Sequence, residues 1–334
     1  MKKKIFLMVM LFATRFTNAN DVIGTNGFGD FKSNFKNGGI QKEEKKIFKS
    51  IKKETKKDED TTLINPKEKK KPRVNKNEVE KKVMQSNFIN QEYTVSVSVP
   101  KSYIKTKKYP VVFLVDGNIY FDIMAQTFHH YAEAAVMPEA ILVGIGYKDY
   151  ATTNTLRSRD FTYPKADPKE KIPLMTGGAK EFVSFINTQV VPYVDAKYSV
   201  DTTKQILMGH SLGGYFTLYA LYTNLAAKNH IFTNYIAASP TAFYENNYII
   251  NAFQNANFED NNQTQAYVTF GGLENDEFHA ITTIKREDVL SQLESALKTK
   301  NGLNYSNEIF SGLAHTDTPL PTFIKALKLI LKKQ

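Results

Sequence analysis

The chain contains no cysteine among its 334 residues. That excludes disulfide staples and a lipid-modified N-terminal cysteine, so the fold has to stand on its packed core. Long apolar runs are also scarce. The run from Ile5 to Ala13 is nine residues long, far short of the roughly 20 needed to cross a bilayer. Lys2, Lys3 and Lys4 precede it, and the small residues Thr17-Asn18-Ala19 follow at the distance of a peptidase cut. These features predict a secretory signal peptide over residues 1–19 and a soluble, secreted or periplasmic mature protein. No internal repeat is visible.

Acidic residues are in the minority, 34 Asp and Glu against 44 Lys and Arg, for a net charge of +10. The excess is not spread evenly. Up to Lys82 there are 22 basic residues against 11 acidic, and after it 22 against 23, so the N-terminal stretch carries +11 and the rest −1. Residues 20–82 are rich in Lys, Asn and Glu with no hydrophobic periodicity, which predicts a disordered tail or linker. Because the positive charge sits on this solvated segment, it gives no argument for nucleic-acid binding by the folded part. It leaves open a weak electrostatic association with an anionic surface, and composition favours a plain spacer.

Residues 83–334 read as one domain. Its strongest signal is Gln205-Ile206-Leu207-Met208-Gly209-His210-Ser211-Leu212-Gly213-Gly214. An apolar run enters a Gly-X-Ser-X-Gly turn, and Leu212, Phe216, Tyr219 and Ala220 then recur at helical spacing. Strand, tight turn and helix in this order make a nucleophile elbow, which lifts a serine hydroxyl clear of the sheet.

Around it, short apolar strands alternate with helices. Tyr93–Val99 alternates strictly and ends at Pro100, as an edge or near-edge strand does. Val111–Val115 is apolar throughout, as a strand between two helical layers must be. Further strands are read at 140–146, 235–240, 266–272 and 305–310, and helices at 120–135, 181–193, 212–222 and 285–299. Residues 148–178 lose periodicity and gather Arg157, Arg159, Asp160 and Phe161. They are read as an irregular segment that could contribute to a substrate pocket, the arginines meeting an anionic group or one of them simply pairing with Asp160. The alternation predicts an α/β fold with a mostly parallel central sheet and helices on both faces.

A serine hydroxyl needs an imidazole to take its proton and an acid to hold that imidazole in one tautomer. His315 lies on a loop after the last strand and is the candidate base. His129 and His130 are adjacent on a helix and read as packing or surface residues, and no metal site is expected. The acid is a carboxylate at 274 or 276, with Asp116 a third possibility. Gly117 and Asn118 follow an early strand, where a hydrolase of this kind supplies a backbone donor to the oxyanion.

Several stretches together resemble the putative-esterase family of α/β hydrolases: Tyr109–Asn118, Val143-Gly144-Ile145-Gly146, Arg159-Asp160-Phe161-Thr162, Gly209–Gly214, Ser239-Pro240 and Gly271-Gly272-Leu273-Glu274. The family includes siderophore trilactone esterases, feruloyl and acetyl xylan esterases, S-formylglutathione hydrolases and mycolyltransferases, and the similarity is greatest to the siderophore-esterase branch. It covers residues 85–332. It implies Ser211 as nucleophile, His315 as base, Glu274 in preference to Asp276 as acid, and the N–H groups of Leu212 and the Gly117-Asn118 loop as oxyanion hole.

The expected function is therefore an exported serine esterase without metal or cofactor, acting on a siderophore-type or carbohydrate-linked ester. An acyltransferase differs only in which nucleophile receives the acyl group. A binding module on an inactive scaffold would have no need for Ser211 and His315 in this order.

Overall fold

In the computed structural model residues 79–167, 175–258, 263–278 and 284–332 are described. The expected signal peptide and the tail up to residue 78 lie outside them. The described strands are β1 (Glu80–Gln85), β2 (Glu92–Ser98), β3 (Tyr109–Val115), β4 (Ile141–Gly146), β5 (Val200–His210), β6 (Asn234–Ala238), β7 (Thr264–Gly271) and β8 (Leu303–Phe310). They form one sheet in the order β1-β2-β4-β3-β5-β6-β7-β8. β2 pairs antiparallel with β1 and β4, and every later pairing is parallel.

The helices are α1 (Gly117–Glu133), α2 (Tyr150–Asp160), α3 (Ala179–Phe185), α4 (Val191–Lys197), α5 (Leu212–Ala226), α6 (Tyr244–Asn255), α7 (Glu274–Phe278), α8 (Arg286–Leu297) and α9 (Pro319–Ile330), with a π turn at Ile186–Val190 between α3 and α4. Successive residues of a strand face opposite sides, and the two cores divide accordingly. Val111, Phe113, Val115 and Leu207 pack with Phe182, Phe216 and Leu293 on one face. Val112, Leu114, Ile206 and Met208 pack with Phe121, Met124, Phe323 and Leu327 on the other. All five residues from Val111 to Val115 are fully buried, each worth about 1.5–3 kcal/mol. Burial on both faces is why that run shows no alternation.

Three readings of the sequence are corrected. β1 begins at Glu80, ahead of the Val83 boundary; its six residues, mostly polar, form an edge strand with little apolar signal. Helix α1 begins at Gly117 rather than Tyr120. Residues 150–160, read as irregular, are helical: the Asp149 side chain caps the start by accepting from Thr152 N at 2.8 Å, and the helix buries Thr153, Ser158 and Asp160. A helix that buries polar residues has no apolar stripe to reveal it.

Candidate active site

The elbow has the expected geometry. Ser211 sits at φ 59°, ψ −117°, between β5 and α5, a strained conformation for a residue with a side chain. Its N–H donates to Ala238 O at 2.9 Å, and its carbonyl accepts from Tyr215 N at 2.9 Å and Thr241 N at 3.1 Å. Gly209 permits the turn, because a Cβ there would run into the Gly213 carbonyl. The serine side chain emerges at the C-terminal edge of the sheet, where ligands of open α/β sheets bind.

β7 and the segment after β8 end at the same edge. A Cβ on Gly271 would strike the Leu313 carbonyl, so glycine lets the two segments close and sets Glu274, the first residue of α7, opposite His315. His315 Nδ1 lies 3.1 Å from Glu274 Oε2, and both side chains are at most 1% exposed. The other oxygen, Oε1, accepts from Ser239 Oγ at 2.6 Å and Gly271 N at 2.7 Å. Burial pushes the Glu274 carboxyl up, but the His315 ring and these donors outweigh it and hold the group at about 2. At neutral pH it is a carboxylate.

The backbone of His315 is held as firmly as its ring. Its N–H donates to Glu277 Oε2 at 3.0 Å, and its carbonyl accepts from Thr318 Oγ1 at 2.9 Å. His210 Nε2 lies 3.0 Å from the same carbonyl. A carbonyl can only accept, so His210 carries its proton on Nε2 and Nδ1 accepts from the Tyr120 hydroxyl at 2.9 Å. Burial, reinforced by the neighbouring His315 and Arg157, holds His210 well below the usual histidine range and hence neutral. The rings of His210 and His315 are 4.6 Å apart, which places His315 beside the residue that immediately precedes Ser211.

Asp276 is exposed on α7, and Glu274 is the carboxylate that meets His315. Asp116 is fully buried and engaged elsewhere, gripped by Arg157 Nε at 2.8 Å and Nη2 at 2.7 Å. Gly117 and Asn118 occupy the first turn of α1, and Leu212 opens α5; first-turn N–H groups have no partner within their helix. β3 and β5 are adjacent and parallel, so both helix N-termini lie at one edge. Asn118 is anchored there through its side chain, which donates to Tyr147 O at 2.9 Å and accepts from Tyr147 N at 2.6 Å.

The three tentative substrate contacts are placed differently. Arg157 is committed to Asp116, and Arg159 to Asp160 through Nε at 2.6 Å and Nη2 at 3.1 Å. Phe161 is fully buried between Phe182 and Phe216, so its ring belongs to the core and not to a substrate surface. Sequence reasoning overlooked Ser239 and Arg286, which both bond Glu274. Ser239-Pro240 at a strand end was the one available hint for the first, and no local pattern marks the second.

Strand order, elbow and the histidine–carboxylate pair together define an α/β hydrolase. The chain belongs to the putative esterase family, whose sequence pattern matches residues 86–329. It is similar to the ferri-bacillibactin esterase BesA of Bacillus subtilis, 33% identical over 183 residues that cover 51% of this chain and 61% of that protein. It is also similar to a siderophore enterobactin esterase of Emericella nidulans, 32% identical over 181 residues, 47% of this chain and 56% of the relative. The chain thus spans less than two thirds of these relatives. The crystal structure of the BES protein from Bacillus cereus superposes with a TM-score of 0.63 and 27% identity, over 82% of this chain and 100% of that one.

Proposed function

We propose that this protein is an exported serine esterase that cleaves a siderophore-type ester through an acyl-enzyme on Ser211. In this reading the Ser211 hydroxyl attacks the ester carbonyl while the His315 Nε2 takes its proton. Glu274 balances the imidazolium through Nδ1, and the N–H groups of Leu212 and of Gly117 and Asn118 receive the oxyanion. His315 then returns the proton to the departing alcohol. Water, deprotonated by the same ring, attacks the acyl-serine and releases the acid.

The observation that carries the reading is the buried Glu274–His315 contact of 3.1 Å beside the elbow that displays Ser211. A scaffold kept only for binding has no need for a carboxylate buried at 0% exposure against a histidine. The relatives named above are described by siderophore esters rather than carbohydrate-linked ones, and this favours the former as substrate. The test is an ester panel on the purified protein: a catecholate trilactone with and without iron, a feruloyl ester, an acetylated sugar and a short aryl acetate. Turnover of the trilactone at least tenfold above the others supports the assignment, and turnover confined to the sugar or feruloyl ester refutes it. Adding an alcohol acceptor separates acyl transfer from hydrolysis, because a transferase would form the new ester in place of the free acid. Export rests on residues 1–19; an extracellular or periplasmic form beginning near residue 20 would support it, and a cytoplasmic form that keeps its N-terminus would contradict it.

A further inference from the structure

Arg286, at the start of α8, is among the largest fully buried side chains of the described residues, at 1% exposure. Its guanidinium carbon stands over three rings, 5.1 Å from Phe243, 5.8 Å from Phe270 and 5.2 Å from Phe278. Nε reaches Glu274 Oε2 at 3.3 Å, the same oxygen that meets His315 Nδ1. Nη1 donates to Ile284 O at 3.1 Å, and the backbone N–H donates to Asn275 Oδ1 at 2.8 Å. Nη2 has no hydrogen-bond partner among the described residues. Burying a guanidinium with one nitrogen unsatisfied costs stability, so the placement calls for a compensating role.

We propose that Arg286 is a positioning residue for the active site, fixing the Glu274 oxygen that meets His315 and offsetting the charge that this oxygen presents to the ring. The proposal rests on the catalytic reading given above. Among the described residues, the charges that face Arg286 are Glu274 and Glu277 on α7 and Glu287 on its own helix; His315 lies beyond Glu274, with His210 against it. Without the guanidinium, the Glu274 carboxylate presents its full negative charge to the imidazole. A negative neighbour favours the charged ring. The neutral base is then lost at a higher pH as the solution is acidified.

The test is the pH dependence of kcat/KM for an aryl acetate with Arg286→Gln, Arg286→Met and Arg286→Lys. The Gln and Met variants should move the midpoint of the acid limb up by roughly one to two pH units, the order of what a unit charge about 6 Å from the imidazole exerts at protein-like dielectric. KM should stay within about threefold, and kcat on the plateau should fall. Lys keeps the charge and should leave the limb within about 0.3 units of the wild type. A limb unmoved in Gln and Met, with only a lower melting temperature, would make Arg286 purely structural and overturn the proposal. If Gln and Met are too unstable to assay under the standard conditions, the limb is read at low temperature with a stabilising osmolyte, where an upward displacement supports the proposal and an unmoved limb overturns it; a limb displaced by a full unit in Lys overturns it under any conditions. Ser211→Ala, measured alongside, tells the two failures apart. An active Ser211→Ala overturns the catalytic reading and this proposal with it, whereas an inactive one with an unmoved limb in the Arg286 variants overturns only the role of Arg286.

Discussion

Replacing Glu274 by Gln changes one oxygen to an NH2 group, and the surroundings leave that group nowhere to go. Ser239 Oγ and Gly271 N both donate to Oε1, while His315 Nδ1 and Arg286 Nε both address Oε2. With the amide oxygen toward Ser239 and Gly271, the NH2 confronts His315 and Arg286. The ring then relieves the clash by moving its proton to Nε2, the nitrogen that has to accept the serine proton, and Arg286 loses its carboxylate. With the amide turned round, the donors of Ser239 and Gly271 are stranded instead. A wrong tautomer at this place costs on the order of 10⁴ in kcat. Leaving the Arg286 charge unpaired costs about 3–5 kcal/mol in stability, which in a domain of this size lowers Tm by roughly 6–20 °C. Steady-state hydrolysis of an aryl acetate at neutral pH, on protein shown by circular dichroism to be folded at the assay temperature, measures the first effect. Thermal unfolding measures the second. Asp276→Asn, at an exposed site, should change kcat by less than about threefold. A folded Glu274→Gln enzyme within tenfold of wild-type kcat would refute the assignment of the acid, as would a larger loss from Asp276→Asn.

Two further perturbations follow from the same contacts. Arg157→Ala strands the fully buried Asp116 beneath the first turn of α1, and should cost about 3–5 kcal/mol by thermal unfolding with lower turnover of every ester tested; a selective loss on anionic esters would instead make Arg157 a substrate contact. Stability should also fall as the pH drops from about 6.5, because unfolding lets His210 take up a proton that its buried site refuses: the contribution is complete above the unfolded value and lost below it, by up to about 1.4 kcal/mol per pH unit. His129, also held low mainly by burial, adds in the same direction, so His210→Gln should flatten the Tm slope between pH 6.5 and 5 without abolishing it, and an unchanged slope would show that His210 takes up no proton on unfolding.

Legibility tracked how much of the structure depends on local pattern. The elbow was readable because strand, glycine turn and helix are consecutive, and β3 because burial on both faces demands an unbroken apolar run. Helix α2 was not, since Thr153, Ser158 and Asp160 are its buried residues and hydrogen bonds rather than an apolar stripe hold it. For the candidate acid the sequence left Glu274 and Asp276, with Asp116 third, and the family resemblance ranked Glu274 first. Residues alone could not choose, because the choice depends on Gly271 admitting the Leu313 carbonyl and on α7 starting at Glu274. Arg157 looked like a candidate for an anionic ligand because its partner Asp116 is distant in sequence, whereas the pairing of Arg159 with the adjacent Asp160 was one of the readings the sequence offered. Arg286 is twelve residues from Glu274, and nothing in a run of charged residues marks one of them as buried.

The claim most exposed to a single measurement is that Ser211 is the nucleophile. A fluorophosphonate esterifies an activated serine, and intact mass followed by peptide mapping locates the adduct. The account predicts one adduct per chain on the peptide containing Ser211, formed with parallel loss of esterase activity and absent from Ser211→Ala. An adduct on another residue, or full activity in Ser211→Ala, would contradict it.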